Sequence, residues 1–473
     1  MKKGLILFLF SLPVICFGQQ TIQAEIGDII SLTPSDKYRG TIHWQQSSDN
    51  LEWNDISGGD MEVFDVNILS LPSYYRARVT EEGCDFDHYS ETIEVIEIDN
   101  SVLWSNSASW GTAGKPQAGD EVTIPAGVSM ILDEDPPSLS GLIIEGTLDF
   151  DQMDLELTSD WILITNGGAL RIGSPNAPHE FKATITLTDT NTEDNVIMQS
   201  GTRGIMVVGG TLALYGATTS TLWTKLNDHA TQGSFSLNVV DAVDWKVGDE
   251  IIITPTDYYL AGTANQSETQ RTTIDAIDGN TITLADPLNA NRWGLVQYIS
   301  SSGLTLNASE AITPPNASTP VALDERAEVA VLTRNIVIQS IDDDLWKNDG
   351  YGVQTMIMRD MNGVIGKAFI DGVEFKRAGQ AGILGGYPFH QHMQSYAGTQ
   401  TLDDATGQFV RNSVVNTSTN RGFTIHGTNG LTFEPPSMLY SDPVIKLASS
   451  LAKNETKFAI SSGCPKRLSG ILF

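Results

Sequence analysis

The sequence predicts an all-β protein, a small β-sandwich followed by a right-handed parallel β-helix, on three observations. Short runs of alternating apolar and polar residues recur along most of the chain, bounded by turn residues. From residue 101 these runs are punctuated by glycine in a repeating unit: an apolar strand, a Gly turn, then Thr/Ala-Leu-x-apolar. No segment of helical apolar period intervenes. A jelly roll or propeller is the competing arrangement, but the first two copies of the unit lie about one solenoid coil apart.

The chain has 473 residues, 40% apolar and 18% charged, enough for cores in two or three domains. Its 28 basic residues against 58 acidic ones give a formal charge of −30, which excludes a phosphate-backbone binder and so argues against nucleic acid as a partner. The same charge repels anionic polymers at long range, so an acidic polysaccharide needs a locally basic groove or a bound cation.

Residues 1–18 read as a signal peptide: Lys2-Lys3, the apolar run Leu5–Phe10, and a small-residue exit at Gly18 before Gln19. The run is too short for the roughly 20 residues of a membrane span, and no later stretch approaches one. Ile15 speaks against a lipid anchor on Cys16. The expected location is therefore secreted or cell-surface. Cys84 and Cys464 give no support for a disulfide.

Residues 19–100 contain the runs Thr21–Glu25, Gly40–Gln45, Ser73–Val79 and Thr92–Ile96. Trp44 in a middle run and Tyr75 in a late one resemble the core Trp and corner Tyr of immunoglobulin-like sandwiches. Residues 101–220 hold the glycine-turn units Leu142–Phe150, Trp161–Gly173 and Gly204–Gly216. Residues 221–340 read as a β-rich connecting or insert region, and 341–434 as further β-helix coils carrying a histidine cluster. The tail 435–473 loses the rhythm; Lys446–Lys453 reads as weakly helical, which suits a C-terminal cap, but an altered reading frame or a truncated gene is the expectation preferred.

The segment Trp110-Gly111, Gly119-Asp120, Val122–Gly127, Gly146-Thr147-Leu148, Gly168-Ala169-Leu170 and Ile172-Gly173-Ser174 resembles the G-eight (G8) domain, named for its eight glycines. It is similar to the version in cell-surface hyaluronidases of the cell-migration-inducing and transmembrane-protein-2 type and in fibrocystin. Beyond it, Trp245–Asp249, Ala327–Ile336, Gly372–Phe375, Tyr387–His392 and Asn420–Thr428 follow the same proteins in order. The resemblance spans roughly residues 101–434 and implies a hydrolase depolymerising a hyaluronan-like polysaccharide. Where those proteins have an Arg before the Tyr-Pro-x-His stretch, this chain has Gly385-Gly386, which removes an anion clamp.

His390 and His392 stand at i and i+2, on one face of a strand and roughly 7 Å apart along it. If Val373–Phe375 leading to His390 and Val414–Asn416 leading to His426 are successive coils, His426 stacks beside His390. Three such imidazoles would hold a divalent ion, a transition metal or calcium, with an open position for an activated water or a sugar oxygen. The bland alternative is a structural histidine cluster. Glu374 is the candidate general acid or base beside catalytic His390 and His392, against the reading of a solvated outer-face residue. Arg377, Arg421 and Tyr387 are the candidate substrate-binding residues, the arginines for a uronate and the tyrosine for stacking, each equally readable as a plain surface or packing residue. Asp133–Asp135, Asp149–Asp151 and Asp342–Asp344 offer carboxylates to calcium or serve as solvated turns. Two other functions remain open: a calcium-dependent polysaccharide lyase of the pectate-lyase-like kind, and a non-catalytic glycan-binding or adhesion protein.

Overall fold

The computed structural model describes residues 20–24, 28–34, 40–70, 72–81, 87–97, 100–189, 201–217, 219–256, 269–316, 318–397, 400–401 and 405–434. The readings of the signal peptide, of the three cysteines and of the tail after Glu434 lie outside these residues. Two compact units divide at 100/101.

The first unit is an immunoglobulin-like sandwich. One sheet runs Gln20–Ala24, Ile93–Glu97, Ser73–Thr80, Thr41–Ser47, Asn54–Asp55, its first two strands parallel and the rest antiparallel; Ile29–Leu32 pairs with Phe64–Asn67 in the second. The strand Ser73–Thr80 alternates strictly between buried and outward residues, the period-two signature of a sheet with one face on a core. Trp44 and Tyr75 are fully buried at the centre of that core, with Leu32 and Val66 from the other sheet.

The second unit is a parallel β-helix with an insert. Its coils stack into three parallel sheets of seven, eight and five strands. The first sheet stacks Glu121–Ile124, Gly141–Ile144, Trp161–Thr165, Gly204–Val208, Gln354–Met358, Phe389–His392 and Phe423–His426. The second stacks strands from Val102–Leu103 to Thr432–Glu434, and the third runs from Leu155–Ser159 to Val414–Val415. Inward side chains form columns along the helix: Ile144, Ile164, Val207 and Ile357 stack on the first sheet, and Leu157, Ile185, Ile338 and Phe375 on the third. Each such side chain, fully buried, contributes roughly 1.5–3 kcal/mol to the fold. Aromatic rings fill the last coils: Phe375, Phe389 and Phe423 meet one another at centroid separations of 5.9 to 6.3 Å, and Phe433 meets Phe423 at 5.3 Å.

The corner between the first and second sheets explains the glycines. Gly168 and Gly210 occupy equivalent places in successive coils, and a Cβ at either would collide with a backbone carbonyl, Ile144 O for Gly168 and Gly168 O for Gly210. That close approach lets Thr211 N donate to Gly168 O at 2.9 Å across the corner.

The insert leaves the solenoid after Ala217 and returns at Asn335, whose side chain accepts from Ala217 N and donates to the carbonyls of His179 and Phe181. It is a six-stranded antiparallel sheet with its own core, including Leu226, Trp245, Ile251, Ile253, Ile282 and Val329, plus a three-stranded sheet over Gln297–Leu323. The chain then re-enters the third sheet at Ile336–Ser340, beside Ala183–Leu187, as though the insert were a long turn.

Candidate metal centre on the first sheet

Phe389 and Gln391 point into the solenoid, which sends His390 and His392 outward on the last full strands of the first sheet. The alternation that buries one phenylalanine therefore sets both imidazoles on one face. The register differs from the sequence expectation by two residues: His426 lies opposite His392, and Thr424 opposite His390. The rings still converge. His390 and His426 stack nearly parallel with centroids 6.1 Å apart, and His392 lies 4.8 Å from His390 and 5.3 Å from His426.

One ligand nitrogen from each of the three lies within 4.8 Å of the others, so the cluster can hold a metal ion. Gly385 O accepts from His390 Nδ1 at 3.3 Å, which fixes the tautomer that leaves Nε2 bare and turned to the cluster. His390 Nε2 stands 3.3 Å from His392 Nδ1. Two nitrogens about 2.05 Å from a tetrahedral ion are about 3.3 Å apart, which the His390–His392 pair matches. Burial pushes the His390 pKa down to about 3, assisted by the neighbouring imidazoles and opposed by the Gly385 bond. Burial and His426 lower that of His392 as well. Both rings are therefore neutral at pH 7, the form that binds metal. Exposure rises from buried His390 through His392 to His426, so the cluster opens to solvent on the His426 side.

The candidate residues divide around this centre. Tyr387, almost fully buried, sets its ring 5.0 Å from His390, and the Arg421 guanidinium lies 5.9 Å from the Tyr387 ring, which brings both to the cluster. Arg377 is not brought there. It turns to the third sheet, donating to Ser340 O at 2.6 Å and to Gln339 Oε1 at 2.5 Å. Glu374 is also on the third sheet, and the expectation of a solvated outer-face residue is corrected: it is 4% exposed because the insert covers it. Its carboxylate accepts from Asn416 Nδ2 at 2.6 Å and faces Lys376 at 3.7 Å, beside the buried Arg334. Asn416 in turn contacts Glu250 and Arg271 of the insert.

The acidic runs are engaged within the protein. Asp133 accepts from Ser105 N and Oγ, Glu134 pairs with Lys115, and Asp343 caps a short helix and pairs with Arg203. Among the described residues, the three histidines are the group that converges on a cation site.

Sequence reasoning missed Met356 and Met358, the outward residues of the adjoining strand, in register with His390 and His392. With Trp161, Met206 and Val208 they form an apolar cluster on the outer face of the first sheet. The signal was present as apolar residues at both alternating positions of Gly204–Val208, a strand covered on two faces.

Parts of the chain match known families, among them the G8 domain and a β-helix family. The G8 domain family matches residues 109–227 and the CEMIP beta-helix family residues 350–436, while a domain of unknown function matches 17–98. Fibrocystin-L of Homo sapiens is 32% identical over 365 residues, covering 70% of this chain and 8% of that protein. A G8 domain-containing protein of Dictyostelium discoideum is 25% identical over 385 residues, covering 78% of this chain and 22% of its own length. The chain thus spans less than a tenth of the length of fibrocystin-L.

Proposed function

We propose that this chain is a secreted or cell-surface glycan-acting protein that cleaves a polysaccharide by hydrolysis at a metal held by His390, His392 and His426. The convergence of three imidazoles, one with its tautomer set by Gly385, is the observation that carries this reading. A transition metal suits an all-imidazole donor set better than calcium, which takes oxygen ligands. Such an ion supplies Lewis acidity and lowers the pKa of water. The protein's own groups do the rest: Gly385 orients His390, Tyr387 packs against that ring, Met356 and Met358 flank the site with apolar side chains, and Arg421 offers a cation to the sugar. Glu374 lies on the third sheet among Asn416, Lys376 and Arg334, so the reading assigns it to holding the insert rather than to proton transfer.

The test is metal content and depolymerisation by the purified chain beside His390→Ala/His392→Ala. Stoichiometric metal and chain cleavage, both lost in the variant and without an ultraviolet-absorbing unsaturated uronate among the products, are expected. Unsaturated products would replace hydrolysis by elimination, and metal-independent glycan binding without turnover would replace the enzyme by a binding protein.

A further inference from the structure

The outer face of the six-stranded sheet in the N-terminal unit, in which His88–Tyr89 also pairs with Ser73–Thr80, carries an arrangement that the histidine site does not use. Along Ser73–Thr80 the outward residues are Tyr74, Arg76, Arg78 and Thr80. The Arg76 guanidinium is held between two rings, its central carbon 4.2 Å from the Trp53 centroid and 4.1 Å from that of Tyr89. Its Nε donates to Gln45 Oε1 at 2.9 Å, and Gln45 is itself fixed by donating to Asp55 at 2.8 Å. Three partners thus immobilise one long side chain.

The surrounding charges are matched to one another. Arg78 pairs with Asp55 at 2.7 Å and reaches Asp87 at 4.0 Å, His43 meets Asp60 at 2.6 Å, and Glu94 faces the Tyr74 hydroxyl. Arg76 has no carboxylate partner among the described residues, and its two terminal nitrogens meet no protein acceptor there. In a chain with 58 acidic and 28 basic residues, a guanidinium held open in this way is a fork presented to something outside the protein.

We infer that this face is a binding surface for an acidic sugar, with the Arg76 fork taking a uronate carboxylate and the flanking Trp53 and Tyr89 rings taking the apolar faces of adjacent sugar residues. Tyr89 is 51% exposed, so much of its ring is open to a ligand. Aromatic rings stack on apolar ligand surface while leaving polar groups free to bond, and the part-exposed Thr80 hydroxyl lies on the same face. An acidic peptide is the less favoured ligand: it gains most from a free sheet edge or an apolar pocket, whereas Arg76 lies on the central strand of a flat polar face. The inference stands on the N-terminal unit alone and is independent of the metal centre.

Calorimetric titration of the full chain tests it, using an oligogalacturonide and a glucuronate-containing oligosaccharide with their carboxyl-reduced counterparts. Binding is expected to persist in His390→Ala/His392→Ala, which removes any contribution of the metal centre. In that background Arg76→Gln and Arg76→Lys should each weaken binding about tenfold, as should carboxyl reduction, and Tyr89→Ala severalfold, with circular dichroism and metal content of the corresponding single variants unchanged. Absence of binding by both sugars in the histidine variant, equal binding by Arg76→Gln, or undiminished binding of the carboxyl-reduced sugars overturns the inference. Tighter binding of a polyglutamate peptide than of either sugar replaces the ligand class and overturns it too. If Arg76→Gln unfolds, Tyr89→Ala at the sheet margin decides alone.

Discussion

His390 is where one residue's environment has the widest consequence. Its folded pKa, about 3, is far below the ordinary imidazole value, so in the metal-free protein the folded state resists a proton that the unfolded chain accepts. The sign follows: above the unfolded pKa of about 6.5 His390 costs nothing, and as pH falls below that value stability is lost at about 1.4 kcal/mol per pH unit until the folded pKa is approached. Thermal melts of metal-free protein between pH 7 and 4 should show a steeper loss for the wild type than for His390→Gln, the difference between the two curves isolating this ring from the many carboxylates. Parallel curves would show that the ring is hydrated. The i, i+2 histidine pair was legible in the sequence because strand periodicity alone places both rings on one face. The position of His426 was not, because register between coils depends on the length of the intervening turns, which shifted it by two residues.

At the scale of elements, the strands were legible where one face meets a core and the other meets water, as in Ser73–Thr80. The glycine corners were legible as punctuation, and the structure supplies their reason in the carbonyl facing each missing Cβ. Gly168→Ala is therefore expected to destabilise the β-helix by about 2 kcal/mol, the cost of overpacking against a backbone that cannot yield, whereas Gly233→Ala in an open turn strains only its own backbone. Denaturant unfolding of the two variants makes the comparison; equal losses would remove the corner collision as the cause. Phe389→Ala should cost roughly 3–5 kcal/mol by opening a cavity among Phe375, Phe423 and their neighbours. Because Phe389 anchors the strand that bears His390 and His392, metal affinity should fall as well, and Phe389→Leu should restore most of both.

At the scale of the whole second unit, the insert is docked by polar contacts around Asn416. Arg271 and Glu250 reach it from the insert, and Glu374 bonds it from the solenoid beneath. This coverage was not legible in the sequence, since nothing local to Glu374 announces that a strand from far upstream will lie over it. Burial lowers the pKa of Arg334 to about 10, and Glu374 is the foremost charge that opposes the shift. Glu374→Gln removes the foremost charge near that buried cation and weakens the bond to Asn416, so stability should drop by roughly 1–3 kcal/mol while metal occupancy stays intact. Loss of turnover at unchanged stability would instead restore Glu374 to a role in proton transfer. The order in which the chain can acquire its structure follows from the same insert. Strands that are neighbours in the third sheet, Ala183–Leu187 and Ile336–Ser340, are separated in sequence by the whole excursion, a closure whose entropy must be met before their ladder forms. An insert with a core of its own can collapse first and bring its two ends together at Ala217 and Asn335. The coils on either side then meet across a short gap, and the later coils, which bear the three histidines, are completed last.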